Sequence, residues 1–85
     1  MKEFQYTLKD PNGLHARPAG LLVREAQALS DEITLIHGGK EANLKKLLAV
    51  MGLGVKGGDT VTVRIVGNDE EASAARLLAA LEKIV

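Results

Sequence analysis

Pro11-Asn12-Gly13-Leu14-His15-Ala16-Arg17-Pro18 is the stretch around which the chain organises itself. It leaves an alternating segment, turns, and enters a segment with helical spacing. Pro fixes φ, and Asn or Gly accepts the left-handed conformation, so Pro-Asn-Gly is turn chemistry. Pro18 fits a first helical turn, where a missing N–H costs no intrahelical bond. His15 is therefore expected at or just before a helix N-terminus, with Arg17 in the first turn. Such an end presents free N–H groups and the positive pole of the helix dipole, a setting that suits phosphate or another anion. On spacing alone, a capped turn with a solvent-facing histidine is favoured over the anion site by about two to one.

Working outward, Phe4, Tyr6 and Leu8 alternate with Glu3, Gln5, Thr7 and Lys9, which predicts a half-buried strand over Glu3 to Lys9. From Ala16 to about Leu29, the residues Ala19, Leu22, Val23, Ala26 and Leu29 form one helical stripe, with Arg24, Glu25 and Gln27 off it. Ile33 to His37 reads as a strand, Gly38-Gly39 as a two-residue hairpin turn, and Lys40 to Asn43 as its return. A short helix is expected over Lys46 to Gly52, its cap uncertain because Lys46 is a poor N-cap. Val61, Val63 and Ile65 alternate with Thr60, Thr62 and Arg64 in a further strand. Asn68-Asp69-Glu70-Glu71 supplies a capping residue and first-turn acids to a last helix, expected to bury Ala72, Ala75, Leu78, Ala79 and Leu81.

The order β-α-β-β-α-β-α, with one apolar face per strand and one stripe per helix, implies an α+β fold in two layers, a sheet covered on one side. At 85 residues and 46% hydrophobic content the chain is expected to be a single domain, 1–85, with a small core. It has no cysteine, so disulfides and thiolate metal ligands are excluded. Lys plus Arg equals Asp plus Glu at 11 each, so electrostatic specificity must be local. No membrane-spanning stretch occurs, and the alternating start is not that of a signal peptide. Gly54-Val55-Lys56-Gly57 matches a loose G-x-x-G loop of RNA-binding domains, but a strand follows it where a helix is needed. One Tyr and one Phe provide no stacking platform for bases. His37, beside the Gly-Gly turn, is expected at an exposed strand end without a role.

Two motifs carry a family resemblance. Gly13-Leu14-His15-Ala16-Arg17-Pro18-Ala19 resembles the active-site motif of HPr, the histidine-containing phosphocarrier family of the phosphoenolpyruvate:sugar phosphotransferase system. Asn43-Leu44-Lys45, followed by Val50-Met51-Gly52-Leu53-Gly54-Val55, resembles that family's second signature. The resemblance covers nearly the full length. It implies an open-faced β-sandwich, with a four-stranded antiparallel sheet covered on one face by three helices.

It implies further that His15 accepts a phosphoryl group on Nδ1 from enzyme I and passes it to sugar-specific IIA components. The protein would act as a cytoplasmic carrier rather than an enzyme, without cofactor, metal, nucleic acid or membrane insertion. The backbone of Ala16 and Arg17 and the Arg17 guanidinium would hold the phosphoryl oxygens, which agrees with the chemistry of helix N-termini. Leu47, Leu48 and Met51 read as core by default, since burial is usual for Leu and Met. The resemblance makes them a docking patch, ringed by Arg17, Arg24, Lys45 and Lys46. Many family members carry a kinase-phosphorylated serine directly after Asn-Leu-Lys. Here that position is Lys46, so serine-linked regulation is expected to be missing.

Overall fold

A computed structural model describes residues 1–85. The elements are β1 (Lys2–Thr7), α1 (Ala16–Gln27), β2 (Glu32–His37), β3 (Lys40–Asn43), α2 (Leu47–Met51), β4 (Thr60–Val66) and α3 (Glu70–Ile84). All strand pairs are antiparallel, in the order β1-β4-β2-β3. β1 and β2 run the same way on either side of β4, and β3 and β4 on either side of β2. The crossovers through α1 and α2 therefore interleave. The open-faced sandwich with three helices on one side is the expected architecture.

This threading decides where the loops meet. Thr7 at the end of β1 pairs with Thr60 at the start of β4, and Ile36 near the end of β2 pairs with Thr62. The turn before α1, the loop before β4 and His37 therefore gather at one end of the sheet.

The strand alternation holds. Tyr6, Ile33, Leu35, Val61, Val63 and Ile65 are buried beneath the helices. On α1 the predicted stripe of Ala19, Leu22, Val23 and Ala26 is buried, with Leu29 packed against the core from beyond the helix end. Gly38 and Gly39 both have positive φ, 56° and 80°, which a tight hairpin requires.

The buried face of α3 differs from the expected one. Ser73, Ala74, Leu77, Ala80 and Leu81 face the core, whereas Ala72, Ala75, Leu78 and Ala79 are exposed. Of the five residues expected inside, only Leu81 is buried. The two candidate stripes lie one residue apart, and alanines discriminate weakly between them. The true face was masked by its serine. Ser73 Oγ donates to buried Asp31 Oδ2 at 3.0 Å, and Asp31 Oδ1 accepts the N–H groups of Asn68 and Asp69 at 3.1 and 3.3 Å.

The cap of α3 thus comes from Asp31, 38 residues upstream of the N-cap residue Asp69, whose own side chain makes no capping bond. Glu70 Oε2 also accepts the Gly67 N–H, and that bond holds its carboxyl below the ordinary range.

Candidate phosphoryl-accepting site

His15 is the N-cap residue of α1, in extended backbone geometry (φ −80°, ψ −178°), and its side chain makes no capping bond. It is exposed, as are Ala16 and Arg17. The His15 carbonyl accepts the Ala19 N–H at 2.9 Å, the first bond of the helix. Pro18 has no N–H, so Ala16 and Arg17 supply the free donors of this helix end. The imidazole therefore stands free beside two unpaired amides and the positive end of a dipole spanning 12 residues.

The Arg17 side chain forms no ion pair or hydrogen bond to the rest of the chain. It lines a shallow cavity of about 160 Å³ with Asp10, His15, Pro18, Leu21 and Ile84. Asp10 Oδ1 is engaged by the Asn12 N–H at 2.9 Å, which tightens the turn before the histidine. The sequence brings His15 and Arg17 together through one helical turn, as its spacing predicts. Leu21 joins them one turn further along α1 and Asp10 from the turn before it, whereas Ile84 of α3 joins only through tertiary packing.

The turn owes its shape to the loop before β4. Gly13 has φ +68°, and a Cβ there would lie 2.6 Å from the Val55 carbonyl oxygen and 2.7 Å from Lys56 Cα. The Leu14 N–H donates to that same Val55 oxygen at 3.1 Å. Gly57 is as close on its own side, where a Cβ would approach the Asp10 oxygen to 2.5 Å. Two glycines thus let two backbone segments pack directly on each other.

The expected docking residues divide. Leu47, Leu48 and Met51 are exposed on α2, Leu48 at 85%, while Val50 of the same helix is buried. The default assignment of these three to the core is thereby overturned. A five-residue helix lying on α1 and β3 has room to bury only one face. Lys46 is the exposed N-cap residue of α2.

Lys45 is tied down. Its Nζ donates to the Leu29 carbonyl at 2.6 Å, its N–H to Asn43 Oδ1 at 2.9 Å, and its own carbonyl accepts from Gln27 Nε2 at 2.9 Å. It locks the entry of α2 to the end of α1. Arg24 is exposed but lies in the groove with Leu21, Lys83 and Ile84, between α1 and α3.

His37 departs from expectation. It is half-buried, with Nδ1 3.1 Å from the Leu53 carbonyl and Nε2 2.9 Å from Asp59 Oδ2. Asp59 Oδ2 also accepts the Lys56 N–H at 2.9 Å. The Lys56 amide, and then His37, hold the Asp59 carboxyl below its ordinary range. Nothing local in the sequence signals this, because strand pairing alone brings positions 37 and 59 together.

The His15 ring makes no hydrogen bond and lines a shallow cavity with Arg17 and exposed Leu21. Comparison with known proteins supplies the class of protein. The family model PTS-HPr, described as the PTS HPr component phosphorylation site, matches residues 2–83. The chain is 43% identical over 84 residues to phosphocarrier protein HPr of Mycoplasma genitalium, covering 98% of this chain and 96% of that protein. It is 40% identical over 83 residues to the HPr-like protein Crh of Halalkalibacterium halodurans, covering 98% and 99%. Among solved structures, HPr-C-His from Thermoanaerobacter tengcongensis superposes with a TM-score of 0.92 at 37% identity, over 98% of this chain and 93% of that one. The chain belongs to the HPr family, the phosphocarriers of the phosphotransferase system, which are carriers and not catalysts. No helix is long and apolar enough to cross a membrane.

Proposed function

We propose that His15 accepts a phosphoryl group from the phosphohistidine of enzyme I and passes it to a histidine of sugar-specific IIA components. The observation that carries this is the unencumbered ring of His15 at the α1 N-terminus, with Arg17 unpaired in the same cavity.

Neutral imidazole is a nucleophile near neutral pH and, once phosphorylated, a good leaving group. The Nδ1 lone pair attacks phosphorus as the donor's N–P bond breaks, and the reverse step delivers the group onward. The transition state spreads negative charge over the equatorial oxygens. The amides of Ala16 and Arg17 face that charge, and the guanidinium adds bidentate donors. Positioning and electrostatics suffice for such a transfer.

Leu47, Leu48 and Met51 form the docking patch in this proposal. Lys46 and Arg24 supply positive charge that steers acidic partners, and Lys45 contributes by fixing α2 rather than by a free charge. Lys46 in place of serine removes the usual acceptor of kinase phosphorylation. Treatment with HPr kinase and ATP should then leave no phosphoserine at this position, and a phosphoserine at exposed Ser30 would show that regulation had moved.

The direct test is incubation with phosphoenolpyruvate and enzyme I, followed by a panel of IIA proteins. One acid-labile phosphoryl group per chain is expected, absent in His15→Ala. Unchanged labelling of that variant would overturn the assignment.

A further inference from the structure

We infer that His37, remote in sequence from the phosphoryl-accepting turn, is a positioning residue for it. This rests on the reading of His15 as acceptor.

The segment from Leu53 to Asp59 contains three glycines, Gly54, Gly57 and Gly58, two of them at positive φ. Glycine-rich backbone loses more conformational entropy on ordering than any other, so this segment needs external ties. Its middle is what the His15 turn rests on, through the Leu14 N–H on the Val55 carbonyl and the mutual close approach of Gly13 and Gly57.

One side chain holds both ends. His37 sits on the last residue of β2, a strand hydrogen-bonded into the sheet, and reaches the Leu53 carbonyl with Nδ1 and the Asp59 carboxylate with Nε2. A carbonyl only accepts, so Nδ1 donates to Leu53, and Nε2 lies 2.9 Å from the Asp59 carboxylate. The same Asp59 oxygen accepts the Lys56 N–H, which closes the segment on itself. Leu53 directly follows the C-cap of α2, and its N–H bonds to Val50. His37 therefore fixes the supporting segment at the point where it leaves the docking helix and at the point where it enters β4.

Three variants test this. His37→Ala removes ring and ties, His37→Phe keeps the ring volume without donors, and His37→Gln keeps one donor. Two readouts are taken well below the unfolding temperature: transfer from phosphorylated enzyme I, and amide exchange at Leu14 against the sheet amide of Val63. Ala and Phe should both slow transfer on the order of 10-fold, short of the roughly 10²-fold cost of a 1 Å misplacement. Both should speed Leu14 exchange by a similar factor with Val63 unchanged, and Gln should recover part of each. A uniform rise in exchange with normal transfer would make His37 a stability residue only and overturn the inference, as would a wild-type Phe variant. Should the unaltered protein fail to take up phosphate, the acceptor assignment falls, while the exchange comparison still decides whether His37 positions the turn.

Discussion

Gly13 and Val55 meet backbone to backbone. The Leu14 N–H donates to the Val55 carbonyl at 3.1 Å, and the space where a Gly13 side chain would begin is occupied by that same oxygen. Gly13→Ala combines a left-handed backbone with this clash, so it should cost about 2–4 kcal/mol, checked by urea denaturation. A cost below about 0.5 kcal/mol would mean that the two segments separate easily.

The Arg17 side chain makes no hydrogen bond or ion pair that would anchor it. Arg17→Ala should therefore leave stability within about 0.5 kcal/mol while slowing phosphoryl transfer about 10²-fold. Arg17→Lys should recover only part of the rate, because an ammonium does not reproduce bidentate contact. Rapid-quench kinetics separates the two variants.

Leu48 is 85% exposed and contributes little to the core. Leu48→Asp should leave the unfolding midpoint nearly unchanged and raise KM for enzyme I and IIA proteins, with kcat less affected. Unaltered KM for every partner would remove α2 from the docking surface.

Asp59 titrates below its ordinary value in the folded chain, because the Lys56 amide and His37 favour its charged form. A depressed carboxyl contributes stability that is complete above its unfolded pKa and is lost as pH falls through its folded pKa. Asp59→Asn should therefore be less stable than the parent at neutral pH, with the gap narrowing as pH falls below the ordinary aspartate value of about 3.9. Denaturant midpoints above and below that value decide this, and a gap independent of pH would contradict it.

Asp31 is buried and accepts two backbone N–H groups and the Ser73 hydroxyl. Asp31→Ala strands all three donors and should cost about 3 kcal/mol or more, with α3 amides exchanging faster than those of the sheet. Replacing exposed Asp69, the nominal N-cap whose side chain makes no capping bond, should cost less.

The strands, α1 and the His15-Arg17 pair were legible in the sequence because each is set by local period or by one turn of chain. Val61, Val63 and Ile65 alternate, and Pro18 marks a helix start, whatever surrounds them. The buried face of α3 was not legible, since alanines fit either stripe and Ser73 is buried only because Asp31 waits for it. Leu47, Leu48 and Met51 carried no local sign of exposure either. The structure exposes them because α2 is short and lies on α1 and β3. His37 carries no local sign of its contacts for the same kind of reason. Its partners Leu53 and Asp59 lie 16 and 22 residues away, and only antiparallel pairing of β2 with β4 brings them within hydrogen-bond reach. The sequence by itself determined which residue stands at the helix end and which donors flank it, because those are fixed by neighbours along the chain. The tertiary structure alone decided what supports that end, because the supports come from segments joined through the sheet.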